Sequence, residues 1–203
     1  MKYIDLSLTI NKNLPTWPGE EFTLTPLTKY GFIKDESLHA PSLHIGTHID
    51  APIHMIEGGK KLSEFEPDKF IGDGVLIDVR SHATVDIDLL YNKNLTQNSI
   101  VLLYSGCDKK IGTPEFLQQF PIVTEAFAHE LVKHNVKMIG IDWPTPDIPP
   151  FPVHKILLGH EILIIELMTN LDQLLNIQNF TVIALPPKLE TAGGPIRAIA
   201  QYK

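Results

Sequence analysis

A chain of 203 residues, 43% hydrophobic and 20% charged, is long enough to bury the core of a single domain spanning 1–203 and has ordinary globular composition. A formal net charge of −7, with no basic run longer than Lys60–Lys61 and Lys109–Lys110, argues against nucleic acid or an anionic membrane as partner. One cysteine, Cys107, excludes an internal disulfide and fits a reducing cytoplasm, and no apolar run approaches the ~20 residues of a membrane-spanning helix.

The opening MKYIDLSLTI alternates polar and apolar residues, which predicts a strand over 3–10 and lacks the continuous apolar core of a signal peptide. Residues 11–21 read as a loop punctuated by Pro15, Pro18 and Gly19. Its PTWPG stretch holds Trp17 in a proline-stiffened segment, where the ring either walls a pocket or covers the edge of the core. Residues 30–41 read as loop leading into Ser42–His54, SLHIGTHIDAPIH, the segment richest in chemistry.

There His44, His48, Asp50 and His54 fall within eleven residues, a dense supply of imidazole and carboxylate donors for Zn²⁺, Mn²⁺ or Fe²⁺. His44, Gly46, His48 and Asp50 alternate with Ile45, Thr47 and Ile49, so an extended chain puts the polar set on one face. His48 and Asp50 then lie roughly 7 Å apart at Cα, but His44 stands roughly 13 Å from His48 along a straight strand. Both histidines reach one ion only if the chain bends, and Gly46 is where a bend is cheap. A helix carrying His44 and His48 is rejected: Gly46, three β-branched residues and Pro52 are poor helix material, and Ile45 stands where a zinc helix of the HExxH kind keeps its glutamate.

Downstream, a short helix is predicted from Ser63 with Glu66 in the capping box. Strands are predicted over 72–79 and 99–104, the second a continuous apolar run suited to burial on both faces. Cys107, just beyond it, reads as an incidental thiol, having no assigned histidine partner. A turn or short helix follows at 113–120. A helix over 124–135 has Thr124 as N-cap and Ala126, Phe127, Leu131 and Val132 on its apolar stripe, leaving His129 and His134 at the surface. After a strand at 136–141, Asp142 and Asp147 sit in a WPTPD turn. They are read as caps of backbone amides rather than as carboxylates orienting a ligand from behind. In HKILLGHEILIIE a helical turn ends at Gly159 and a strand over 162–165 ends at Glu166. A carboxylate among ILII and LM is costly to bury unless paired or metal-bound, which makes Glu166 the leading remote ligand. A strand over 180–185 and a last one through Ile196, Ala198 and Ala200 close the chain, with Arg197 expected to pair with a buried carboxylate.

The string H-x-G-T-H-x-D-A-P-x-H from His44 to His54 resembles the signature of the cyclase-like metal-dependent hydrolases, which include bacterial kynurenine formamidase and isatin hydrolase. Gly140, Ile141, Asp142, Pro144 and Asp147, and the closing LPPKLETAGGPIRA, extend the resemblance from Trp17 to Arg197. It implies an α/β fold: a compact domain with a mixed sheet and few helices, of the swivelling β/β/α type. It implies a metal set of His44, His48, Asp50, His154 and Glu166 holding one or two Zn²⁺ or Mn²⁺ ions. His154 is chosen over His160 because it lies twelve residues before the glutamate. His54 stays free as catalytic acid/base, Trp17 becomes a substrate-pocket wall, and a homodimer or larger homo-oligomer is expected. The implied reaction is hydrolysis of a C–N bond in a small amide, an aryl formamide or a cyclic amide of the isatin kind. Gly46–Thr47 replaces the Gly–Ala of the formamidase form of the motif. Two other readings of the donor set are a non-haem Fe(II) oxygenase using His48, Asp50 and one more histidine, and a metal-binding module without catalysis.

Overall fold

Apolar alternation along this chain is satisfied by a sheet that carries hydrophobic side chains on both faces. The computed structural model describes residues 1–11, 14, 16 and 22–203; Trp17 lies outside them. The strands are β1 (Lys2–Asp5), β2 (Thr23–Lys29), β3 (Phe32–His39), β4 (His48–Asp50), β5 (Ile71–Asp78), β6 (Thr84–Val85), β7 (Ser99–Tyr104), β8 (Ile122–Val123), β9 (Met138–Ile141), β10 (Leu163–Glu166), β11 (Thr181–Ile183), β12 (Gly193–Pro195) and β13 (Ile199–Tyr202). Two α-helices, α1 (Glu125–Lys133) and α2 (Pro152–Gly159), join them, with several single 3₁₀ turns. Nine of these strands form one mixed sheet in the order β1-β13-β11-β5-β7-β9-β10-β4-β12. Its middle, β5-β7-β9-β10, is parallel and its flanks are antiparallel.

Strand β7 shows why the sequence reads as it does. All six of its residues are buried. Ile100 and Leu102 pack with Ile49, Phe180 and Val182 on one face, while Val101 and Leu103 pack with Phe127, Leu131 and Leu157 on the helix-bearing face. A parallel strand covered on both sides has no polar face to show, so its sequence is unbroken SIVLLY. Each such side chain contributes about 1.5–3 kcal/mol by leaving water.

Several expectations need correction. Residues 30–41 are not loop: β2 and β3 pair as a hairpin whose turn, Tyr30–Gly31, takes the two positive φ values (58° and 81°) that suit a two-residue connection. Its described side chains are exposed along both strands, so no buried face wrote a period-two signal into the sequence. The helix predicted from Ser63 is a 3₁₀ turn at Leu62–Glu64, with Glu64 accepting from the Lys61 N–H, and Pro67 opens a separate turn. On α1 the buried stripe contains Ala128 rather than Ala126. Thr124 caps it as predicted, and exposed His134 has Glu130 one turn back at 3.4 Å. Arg197 pairs with Asp5, an exposed carboxylate at the end of the edge strand β1, because the segment leading into β13 runs beside β1. Cys107 is buried with its S–H directed at the Gln119 carbonyl, and burial pushes its thiol above the ordinary value.

Candidate metal centre

The site forms where β4 meets the end of β10. Their antiparallel register sets Glu166 opposite His48 and Ile164 opposite Asp50. Ile49 turns to the other face and is fully buried there, so His48 and Asp50 both look toward the helices. The bend required between His44 and His48 occurs at Gly46, which has φ +56°. Thr47 locks that bend: its hydroxyl donates to the Leu167 carbonyl (2.6 Å) and accepts from the Leu8 N–H (2.8 Å). The Gly–Thr form of the motif thus adds a backbone anchor. Helix α2 delivers His154 from the facing side, buried beside Val153 and Leu157.

Five side chains expected to share a site converge. His44 Nδ1 is 2.7 Å from Asp50 Oδ1, and His48 Nε2 lies 3.7 Å from Asp50 Oδ1 and 3.3 Å from Glu166 Oε2. His154 Nε2 lies 3.5 Å from Glu166 Oε1 and 3.9 Å from Asp50 Oδ2. They resolve into two donor sets, His44–His48–Asp50 and Asp50–His154–Glu166, with donor atoms in each set within 4.8 Å of one another. Asp50 belongs to both. His54, half-buried in the 3₁₀ turn Pro52–His54, belongs to neither, with its ring 4.4 Å from that of His44 and 6.2 Å from that of His154. His160, the alternative remote histidine, is exposed at the end of α2 with Nδ1 against the Ile156 carbonyl, and is not part of the cluster.

The donor atoms fit a cation. Among the described residues, His48 Nε2, Asp50 Oδ1 and Glu166 Oε1 are buried without a hydrogen-bond partner, with His44 Nδ1 standing 2.7 Å from Asp50 Oδ1. Orphaned polar atoms are costly to bury, and carboxylates most of all. Burial alone would push His48 and His154 down. The close approach of the Glu166 carboxylate, and for His154 first the hydrogen bond to Asp147, instead lifts them to about 9 and about 10. Burial would raise Asp50, yet the imidazoles of His44 and His48 bring it down to about 2. Protons on the two buried imidazoles stand in for the positive charge these carboxylates demand, and a divalent ion taking the same donors displaces them.

Two further carboxylates sit behind the site. Asp147 accepts from the Val153 and His154 N–H groups at 2.7 and 3.3 Å, capping the start of α2, and its other oxygen is 2.5 Å from His154 Nδ1. The turn-capping role expected of it is therefore only half its work: it also turns His154 so that Nε2 faces Asp50 and Glu166. His48 is turned likewise by Nδ1 against the Gly46 carbonyl at 2.8 Å. Asp142 caps backbone amides, but those of the turn after β7 and not of its own: it accepts from Ser105 N–H and O–H and from Gly106 N–H. Burial pushes its carboxyl up to about 6 against those bonds. The folded protein then holds the Asp142 proton over a pH range where the unfolded chain has released it. That contribution to stability, roughly 3 kcal/mol, is lost as pH climbs from about 4 through about 6. Asp142→Asn cannot ionise, so urea unfolding at pH 4.5 and 7.5 is expected to show wild type losing ground to the variant as pH rises; parallel pH dependences would refute this.

A cavity of about 710 Å³ opens over the cluster, with walls that include Met55, Phe116, Phe120, Ile148 and Phe151. No lysine or arginine lines it among the described residues. Sequence reading missed these aromatic walls. They come from two segments, and of these aromatic residues only Phe151, just before α2, lies close in sequence to a donor.

The family described as "Putative cyclase" matches residues 4–148. The chain belongs to that family. Among its cyclase-family relatives, a kynurenine formamidase of Bacillus cereus is 31% identical over 98% of this chain and 96% of its own length, and one of Geobacillus thermodenitrificans 30% identical over 97% and 95%. Isatin hydrolase A of Labrenzia aggregata superposes with a TM-score of 0.85 at 22% identity, covering 98% of this chain and 93% of that one, a likeness of fold.

Proposed function

We propose that this cyclase-family chain is a metal-dependent amidohydrolase that cleaves the C–N bond of a small amide, in the manner of the kynurenine formamidases it resembles. The observation that carries the reading is the pair of donor sets sharing Asp50, with an uncommitted histidine beside them. His44, His48, Asp50, His154 and Glu166 would hold one or two divalent ions, Zn²⁺ or Mn²⁺ by donor chemistry. Such an ion supplies Lewis acidity that makes water nucleophilic near neutral pH and polarises a carbonyl. The chain's own residues do the rest. The apolar walls strip water from the substrate ring, and Trp17 is proposed to add to them. His54 takes a proton from the attacking water and passes it to the departing nitrogen as the C–N bond breaks. Burial holds the His54 imidazole below its ordinary value, so it is neutral and able to accept a proton at pH 7. Five donors exceed the two histidines and one carboxylate that a non-haem Fe(II) oxygenase needs, which disfavours that reading.

A cyclic amide of the isatin kind is a second reading. It is favoured by a lining without lysine or arginine, which suits an uncharged ring better than a substrate carrying a free carboxylate. Metal analysis of the purified protein, followed by a hydrolysis screen with N-formylkynurenine, isatin and simple cyclic amides, tests both. Bound metal with neither hydrolysis of any of them nor oxygen uptake would favour the binding-module reading, and oxygen uptake with added Fe²⁺ would favour the oxygenase.

We place the protein in the cytoplasm as a homo-oligomer. The support for the oligomer is the β2–β3 hairpin, which exposes Leu24, Leu27, Tyr30, Phe32, Ile33 and Leu38 at 44–81%. A two-stranded hairpin without packing is marginal in water, and the companion present whenever the chain folds is another copy. Light scattering is expected to give at least twice the 22.8 kDa chain mass, and F32E/I33E is expected to give monomer. A monomeric wild type at ~100 μM, well above the Kd of a stable dimer, rejects this.

A further inference from the structure

We propose that Gly193 is a positioning residue of this centre: the missing side chain at 193 is what allows the His44 imidazole to stand against β12 with Nδ1 on Asp50. The inference rests on reading His44 as a donor. Gly193 is buried and pairs in register with Asp50, while its neighbour Gly194 pairs with Ile49. A methyl group on Gly193 would lie 2.6 Å from His44 Cε1, 3.0 Å from His44 Nε2 and 2.9 Å from the Ile49 carbonyl oxygen. Carbon atoms do not approach that closely, so the ring must leave.

It has little room to leave within the site, because the ring of His54 stands 4.4 Å away and that of His48 5.1 Å away. The remaining direction is outward, and His44 is the most exposed of the clustered donors, its side chain 23% accessible. Moving outward carries Nδ1 off Asp50 and opens the His44–His48–Asp50 set, while neither His154 nor Glu166 is among the nearest neighbours of the added methyl group. Gly194 supplies the matched control. A methyl group there would meet only the chain ends of Leu189 (3.2 Å) and Leu62 (3.6 Å), which can swing aside.

The test compares G193A, G194A, H44A and H44A/G193A. Metal-free protein is titrated with Zn²⁺ and with Mn²⁺ by calorimetry, and His44 is followed by imidazole NMR in the metal-free state. G193A is expected to weaken, tenfold or more, the same binding event that H44A weakens, and the double variant to be no weaker than H44A. The His44 cross-peaks to the Asp50 β-protons are expected to vanish in G193A and persist in G194A. Wild-type affinity in G193A, an effect that adds in full to H44A, or surviving His44–Asp50 cross-peaks would each overturn the proposal. If G193A does not fold, H44A/G193A should restore folding; failure to do so places the clash at the Ile49 carbonyl and overturns it equally. A wild type that binds no metal would instead refute the hydrolase reading, and the NMR comparison would still decide Gly193.

Discussion

His54→Ala is expected to lower turnover by about 10²–10⁴-fold while the protein keeps its full metal complement. The argument is one of position. His54 stands close enough to the donors to reach a substrate held over them, yet lies outside both donor sets. Its backbone is fixed by the turn after Ala51, where the His54 N–H donates to the Ala51 carbonyl and the Ile53 N–H to the Lys60 carbonyl. Truncation therefore removes the imidazole without moving the chain that carries it. The site of the lost ring borders the cavity, so added imidazole is expected to restore part of the rate. In wild type the acid limb of the rate profile should fall below the ordinary imidazole value, since burial lowers His54, and the limb should be missing in the variant. Steady-state rates on whichever amide the screen identifies, with elemental analysis of the same samples, check this. If the variant loses metal in proportion to rate, His54 is a ligand and not the proton carrier.

What could be read in advance, and what could not, follows from where each signal was written. The donors in β4 were legible because a strand between two others must alternate, and the polar set in HIGTHID has no other face to occupy. Glu166 was legible because a carboxylate ending an apolar strand demands a partner. The meeting of these two pieces was not in either of them; it comes from β10 pairing with β4 rather than with another edge. Asp147 was read as a turn cap because its amide bonds are local, whereas its bond to His154 depends on the direction in which α2 leaves the turn. The hairpin was missed because exposed strands carry no burial pattern. Nothing within LPPKLETAGGPIRA marks Gly193 as part of a site; that a histidine 149 positions earlier fills the space is a fact of sheet order.

Asp50→Asn is expected to abolish metal retention altogether, a larger loss than any other single substitution here. Asp50 is the carboxylate common to both donor sets, with Oδ1 facing His44 and His48 and Oδ2 facing His154. An amide keeps the shape but presents one neutral oxygen where two charged ones served. Glu166→Gln touches one set only, so partial retention is expected there. Asp147→Asn leaves every donor in place and disturbs only the bond that orients His154, for which a 10–100-fold loss of affinity is the expected scale. The order Asp50, then Glu166, then Asp147 is the prediction, read by metal content after dialysis against a chelator. Folding can be separated from binding. Without metal, Asp50→Asn removes a carboxylate that the His44 and His48 imidazoles hold ionised, so its metal-free melting point should fall below that of wild type. Wild type should gain stability on adding metal, about 2.7 kcal/mol at a hundred times Kd, and the variant should gain none. An Asp50→Asn protein that retains metal and melts higher when it is added would show that the two sets do not share this carboxylate.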